Sequence, residues 1–516
     1  MSRRFERTAA PREEAAVSLQ ALLPEADVRG CRDLRIHAVA CDSRLCRPGD
    51  LFVAVRGSTT DGHQHVTDAV RNGAVAVVVE QPQPSLGCPQ CVVADSRTAY
   101  ARLCQALARD PASHLTTIAV TGTNGKTTTT VLVRSVLETA GYPAGLSGTL
   151  CAHDGGQRVA SSLTTPDAAD LAHWLSRCRT NGCSHAVLEA SSHALDQRRM
   201  AGIGIDVAVV TNVTRDHLDY HGTLEAYRDA KARLFDLLKP GGVAIVNRDD
   251  PGSAALGSMT VAPVVSFGMH AAADVTATLV DQDMAGQQFR LRTGNEEVVV
   301  RTALLGAHNV SNCLAAASVG IHCGIPLEAI ADGIAAVTGV RGRLEPVHRG
   351  QPFSVFIDYA HTEDALTRIL TTLGALIPGR LICVFGAGGD RDRKKRPAMG
   401  RAVQLGADLA VVTSDNPRSE APLGIIEDIL TGMRDPQAAH VEPDRKSAIE
   451  WALAQAGPKD CVLIAGKGHE TEQIVGRTSH HFDDREVAAE WLERNVPEAM
   501  AGQPSGTRNE RLGVGP

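Results

Sequence analysis

The stretch Leu115-Thr-Thr-Ile-Ala-Val120, followed by Thr121-Gly-Thr-Asn-Gly-Lys-Thr127 and by Thr128 to Gly141, decides the fold. The opening run is apolar enough for a buried strand. Beyond the turn, Val131 and Ser135, Leu132 and Val136, and Val133 and Leu137 stand four apart, which gives a helix an apolar face. Gly141 and Pro143 stop that helix. Strand, glycine-rich turn and helix aim backbone N–H groups and the positive end of a helix at one point, a seat for phosphate. Lys126 reaches the outer phosphates from there, and the Thr127 hydroxyl suits Mg²⁺. Val120 stands where the usual phosphate-loop pattern has its first Gly, so an ordinary glycine turn is the alternative reading.

At 516 residues the chain is too long for one ordinary domain, and about three are expected. A hydrophobic content of 43% with 22% charged residues is that of a soluble globular protein. With aromatics at 3%, the cores must rest on Val, Ile, Leu and Ala. A net charge of −7 argues against a nucleic-acid partner, which leaves a basic footprint. Arg3-Arg4 is followed by Glu6, Arg7, Arg12, Glu13 and Glu14 where an export signal has an apolar segment, and no apolar run is long enough to span a membrane. The 13 scattered Cys point to reduced thiols in a cytoplasmic protein, expected to act as a monomer. Cys88-Pro-Gln-Cys91 has no second pair to complete a zinc site.

The fold class expected is α/β with three domains. A small α/β domain spans 16–113, with Leu51–Val55 and Ala74–Val79 as strands. A central domain with a mostly parallel sheet spans 114–345, and a Rossmann-like domain spans 346–497. Residues 1–15 and 498–516 are expected to be disordered. In the central domain, His185–Leu188, Asp206–Val210 and Gly242–Val246 each end in polar residues, at the strand edge where open parallel sheets bind ligands. Glu189 and His217 are therefore candidates for a metal beside the phosphates. Glu189 also reads as a helix N-terminal carboxylate, and His217 as a packed or capping histidine. Leu224–Leu238 reads as a helix whose Lys231 is, taken alone, a solvated lysine. Asn309, before the helix Val310–Val319, either reads a base edge or caps that helix. In the third domain, Phe353–Ile357, Leu381–Phe385, Leu409–Thr413 and Cys461–Ala465 run into Asp358-Tyr-Ala-His361, Gly386–Arg391, Ser414–Arg418 and Gly466–Glu470, a second polar cleft. The basic run Arg391–Arg396 is either a solvated face or an anion site.

Thr121–Thr127, Glu189-Ala-Ser-Ser-His193, Thr211–Gly222, Gly306-Ala-His-Asn309 with Asn312, Asp358–Thr362 and Gly466-Lys-Gly-His-Glu470 together resemble the Mur ligases, in the branch that adds 2,6-diaminopimelate. The resemblance runs from about Asp42 to Arg485. It implies an ATP-dependent ligase of peptidoglycan precursor synthesis that works through an acyl phosphate. Gly122, Thr123, Asn124, Gly125, Lys126, Thr127 and Thr128 would hold ATP. Asn309 and Arg343 would contact the nucleotide, and Asp358 would lie near its ribose. Ser43, Ser58, Thr59 and Thr60 would hold the UDP moiety, and Thr164, Thr165, Ser191, Gln197 and Arg199 the muramoyl-dipeptide. Thr127, Glu189, His217 and Lys231, the last as a CO₂-derived carbamate, would serve Mg²⁺. Arg391, Asp415, Asn416, Pro417, Arg418, Gly466 and Glu470 would hold diaminopimelate. Leu163 departs from the Asn that many relatives carry before Thr-Thr-Pro. A lysine-adding sibling is the near alternative, with Arg418 as the discriminator. Folylpolyglutamate synthetases fit the N-terminal domain and Asp415–Arg418 poorly, and a non-catalytic ATP-switched module leaves the catalytic set unexplained.

Overall fold

The computed structural model describes residues 7–9, 16–31, 33–57, 60–84 and 86–496. Ser58, Thr59 and the expected disordered tail lie outside them. Two compact units are present: one runs to Gln282 and adds Gln287–Ala303 and Ala307–Thr338; the other takes Asp283–Gly286, Leu304–Gly306 and everything from Gly339.

Among the described residues the first unit contains two large sheets and a short two-stranded one, Val17–Ser18 with Arg35–Ile36. The smaller of the large sheets has the order Arg7–Ala9, Ala38–Ala40, Leu51–Val53, Ala76–Val79, Gln90–Val92, Asp27–Arg29, with a parallel middle and antiparallel outer strands. Arg7–Ala9 falls in the segment expected to be disordered; it forms a strand because the edge of Ala38–Ala40 offers unpaired backbone groups.

The larger sheet is built on β1 (Thr116–Thr121), with β2 (His185–Glu189) on one side and β3 (Ile205–Val210) and β4 (Leu238–Asn247) on the other, all parallel. β1 feeds α1 (Lys126–Thr139), which buries Leu132, Val133, Val136 and Leu137. α1 lies against Leu327–Ala335, where Gly333 has no room for a side chain because its Cβ would meet the Val136 backbone. α2 (Leu224–Ala232) is shorter than the sequence pattern implies. Pro240 biases the residue before it toward extended backbone, and β4 already begins at Leu238. The hairpin strands Gly286–Thr293 and Glu296–Thr302 extend this sheet antiparallel at one end. α3 (Ala307–His322) starts three residues before the expected Val310.

The second unit is a sheet in the order Glu345–Pro346, β5 (Ser354–Asp358), β8 (Cys461–Ala465), β6 (Leu381–Phe385), β7 (Leu409–Val412) and His440–Val441, parallel except for the first strand. Its strands are near-continuous apolar runs, as burial on both faces requires. The carboxyl ends of β5, β6, β7 and β8 share one edge.

Candidate functional site

The glycine-rich turn is shaped by its neighbours. Gly122 and Gly125 take φ of 152° and 86°. A Cβ at Gly122 would overlap Thr211 Oγ1, and one at Gly125 would overlap Asn312 Oδ1. The segment after β3 clamps the loop: Thr123 N donates to Asn212 O at 2.8 Å, Asn124 N to Asn212 Oδ1 at 2.8 Å, and Thr211 Oγ1 to Asn124 O at 2.6 Å. The open first turn of α1 follows at once, with the N–H groups that a helix start leaves without intrahelical partners. A clamped loop that opens a helix in this way is suited to a phosphate.

Lys126 Nζ donates to the carbonyls of Gly122 (2.8 Å) and Thr123 (2.9 Å). Lys231 is only 1% exposed, so it is not a solvated lysine. Its Nζ also reaches Gly122 O at 2.8 Å and lies 4.4 Å from the centre of the Tyr227 ring. Burial, then Lys126, push its pKa well below the ordinary lysine range, while Asp216 opposes them.

Glu189 ends β2 and is 1% exposed. Its carboxylate accepts from Thr127 Oγ1 (3.0 Å), Thr149 N (2.8 Å) and Thr149 Oγ1 (3.0 Å). These donors are neutral, and a buried carboxylate is costly without a counter-charge. A divalent cation at the Thr127–Glu189 edge fits that donor set, since Mg²⁺ takes one or two protein oxygens and completes its shell with water and phosphate. Among the described residues no three His, Cys, Asp or Glu form a ready-made metal cluster. His217 lies in the left-handed region with φ 52°. Its ring stands 4.8 Å from that of His193 and 6.3 Å from that of Tyr227, so it shares surroundings with Lys231. His193 is pushed down to about 4, chiefly by burial.

On the far side of Glu189 lies a second polar group. Thr165 Oγ1 donates to Glu189 O at 2.6 Å and stands 3.2 Å from Ser191 Oγ. Arg199 donates to Thr165 O (2.8 Å) and to Gln197 Oε1 (2.7 Å), and Thr149 Oγ1 is 3.1 Å from Thr164 Oγ1. All five residues expected around the dipeptide thus connect to the metal candidate. Further along the same unit, Ser43 and Thr60 line a cavity of about 840 Å³ with Phe52, Tyr100 and Asp167. Asn309 is an interior residue of α3, not its cap; its Oδ1 accepts from Asn312, which faces Gly125 and Thr129.

In the second unit, Arg418 (φ 50°) donates NH1 to Gly389 O at 2.7 Å. Burial, then Arg391, hold its pKa below the usual guanidinium value. Glu420 does not pair with it; that carboxylate takes Arg396 at 2.7 Å. Arg393 and Arg396 pair with Asp428, so part of the basic run is structural. Asn416 bridges Glu470 Oε2 (2.8 Å) and Lys467 Nζ (3.2 Å). Glu470 is pushed up by burial and then by Asp415. A Cβ on Gly466 would stand 2.7 Å from Asp415 Oδ2. Two guanidiniums close together, and two carboxylates close together, are what a ligand carrying carboxylate and ammonium groups would balance. Asp358 is held by the backbone: its oxygens accept from Leu344 N and Ala360 N, both at 2.7 Å, and burial pushes it up to about 6. Arg343 stacks over Tyr359 at 4.7 Å.

Thr149 and Tyr227 were not singled out by the sequence, and Asn212, Asp216 and Lys467 stood inside its motifs without roles of their own. Thr149 follows the short strand Ala144–Ser147, whose Gly145 and Ser147 mask the apolar-run-then-polar signal. Cys91 of the C-x-x-C is pushed up to about 11 by burial, so it is not a reactive thiol.

Models for three domains match in order: the Mur ligase family catalytic domain over 35–105, the Mur ligase middle domain over 120–320 and the glutamate ligase domain over 342–468. The UDP-N-acetylmuramoyl-L-alanyl-D-glutamate–2,6-diaminopimelate ligase of Geobacter metallireducens is 42% identical, covering 91% of this chain and 97% of its own. The enzyme of that name from Geobacillus thermodenitrificans is 44% identical over 88% and 94%. The chain belongs to the Mur ligase family. A solved structure of a ligase with the same name superposes with a TM-score of 0.66 at 34% identity, covering 93% of this chain and 99% of that one. The middle-domain match holds the glycine-rich loop, Glu189 and Lys231, and the glutamate-ligase match holds Asp415–Arg418. Among the described residues no helix is long and apolar enough to cross a membrane.

Proposed function

We propose that this Mur ligase adds 2,6-diaminopimelate to UDP-N-acetylmuramoyl-L-alanyl-D-glutamate at the expense of ATP, in peptidoglycan precursor synthesis. The observation that carries this reading is the Glu189 carboxylate, held at 3.0 Å from Thr127 of the phosphate loop and tied through Thr149 to Thr164. The phosphate seat and the expected dipeptide seat therefore meet at one buried acid.

In this reading the loop N–H groups and Lys126 hold the β- and γ-phosphates, exchanging Lys126's bonds to Gly122 O and Thr123 O for phosphate oxygens. Thr127 and Glu189 would hold Mg²⁺, with His217 and Lys231 nearby, and the ion would supply positive charge to offset that of the phosphates. Thr164, Thr165, Ser191, Gln197 and Arg199 orient the D-glutamyl γ-carboxylate so that it takes the phosphoryl group. An amine of diaminopimelate then attacks the acyl phosphate, forming the amide and releasing phosphate. No Ser/His/Asp triad is needed, because the acyl phosphate is already activated. Arg391, Arg418, Asp415 and Glu470 present the amino acid. Lys231 carries a carbamate: burial favours the neutral amine, which adds to CO₂ and releases a proton, and the product is an anion suited to the metal. The cavity at Ser43 and Thr60 takes the UDP end, and the chain acts as a cytoplasmic monomer. Phosphate release requiring both the UDP-substrate and the diamino acid supports the assignment; release with either alone, or only with lysine, overturns it.

A further inference from the structure

Thr149 has no role in the reading above except as a neighbour, yet it makes more contacts to Glu189 than any expected ligand does. It stands two residues beyond the strand Ala144–Ser147. The chain passes so near the acid that a Cβ on Gly148 would overlap its carboxyl group. This approach brings two donors of one residue onto both oxygens: Thr149 N to Oε1 at 2.8 Å and Thr149 Oγ1 to Oε2 at 3.0 Å. The last torsion of a glutamate is broad and roughly two-fold, so one donor would leave the carboxylate plane to rotate. Two donors of one residue, one on each oxygen, fix it. The oxygen Oε2 that takes the Thr149 hydroxyl is also the one within 3.0 Å of Thr127 Oγ1.

The hydroxyl also has a direction. An ionised carboxylate only accepts, so the Thr149 proton goes to Oε2. Thr164 Oγ1, 3.1 Å from Thr149 Oγ1, is then the donor to it. The order is Thr164 to Thr149 to Glu189, one line of hydroxyls from the expected substrate seat to the metal candidate.

We propose that Thr149 is a positioning residue that sets the Glu189 carboxylate for a divalent cation and couples it to Thr164. This rests on the metal role given to Glu189 above. Hydrogen-bond partners of metal-ligating groups commonly change metal affinity by about 10–100-fold when removed.

The test uses the full-length protein and titrates ADP calorimetrically with and without Mg²⁺. Thr149→Val keeps the backbone N–H and the shape but loses the hydroxyl. It is expected to cut the Mg²⁺-dependent gain in ADP affinity by about tenfold or more, with metal-free ADP binding and melting temperature unchanged. Thr149→Ser keeps the hydroxyl and is expected to retain the gain. In steady state, Thr149→Val should also raise KM for the UDP-substrate, because Thr164 loses its acceptor. A full Mg²⁺ gain in Thr149→Val, or a loss as large in Thr149→Ser, overturns the role of Thr149. Glu189→Gln separates the two levels. If it loses the gain while Thr149→Val keeps it, only the positioning role falls; if it too keeps the gain, the metal reading of Glu189 falls.

Discussion

Lys126 and Lys231 donate to the same oxygen, the carbonyl of Gly122, each at 2.8 Å. Two amines converge there because the turn at Gly122 leaves its carbonyl facing both α1 and α2. Only one side of this pair meets solvent easily: Lys231 is buried, and Lys126 is among the charges that hold its pKa down. The arrangement pushes the buried member of the pair, Lys231, toward the neutral amine.

Lys126→Ala is expected to lower turnover by about 10²–10³-fold or more, the scale seen when one donor aimed at developing charge is removed. The Gly122 carbonyl keeps Lys231, so the fold should persist. Phosphate release and the melting temperature measured on one preparation check this; near-normal release from a folded variant refutes it.

A CO₂ adduct on Lys231 should appear in the intact mass of gently handled protein and vanish after acid treatment. Lys231→Ala should lose activity and regain part of it with added short-chain carboxylic acid. Full activity without the acid would remove Lys231 from the mechanism.

Arg418→Ala should lose kcat/KM for diaminopimelate steeply and change little for lysine. The two amino acids differ by one carboxylate, which a guanidinium fork holds through two charge-assisted hydrogen bonds. Removing one partner of such a pair costs about 2–5 kcal/mol, roughly 30-fold to several thousand-fold. Glu420, one acid that could have held Arg418 structurally, is committed to Arg396 instead. Equal losses for both amino acids would make Arg418 a scaffold residue.

His469 is pushed down to about 3 by burial first and by Arg343 and Arg341 next. A histidine with a depressed pKa binds its proton less readily folded than unfolded. Its contribution to stability is therefore complete above its ordinary value of about 6.5 and is lost as pH falls toward 3. Asp358, raised to about 6, acts in the opposite sense between its ordinary value and 6. His469→Gln should flatten the fall in melting temperature between pH 7 and pH 5. An unchanged pH profile would show that His469 is not buried as a neutral ring.

Much of this was legible in the sequence. β6 and β8 begin and end where their apolar runs do, because both faces are buried and nothing polar interrupts them. The ends of α2 and α3 were less legible, since Pro240 and the Gly306 loop act through the backbone rather than through periodicity. The hairpin Gly286–Thr302 carries the alternation of a half-exposed strand, with Phe289 and Leu291 in and Arg290 and Arg292 out, which a reading based on continuous apolar runs passes over. At the site, residues inside recognisable motifs came together around Glu189. Thr149 escaped because its strand is short and carries Gly and Ser, and Lys231's burial escaped because Tyr227 and the loop that cover it are remote in sequence.

The four residues Thr164-Thr-Pro-Asp167 have a consequence for what the protein can accept. Thr164 and Thr165 reach the Glu189 group, while Asp167 lines the 840 Å³ cavity and caps the helix Ala168–Thr180. One short peptide, stiffened by Pro166, sets the spacing between the two seats. Under the proposed function it works as a length gauge. A precursor shortened or lengthened by one residue would anchor its nucleotide end correctly and still present its carboxylate short of, or beyond, the phosphoryl group.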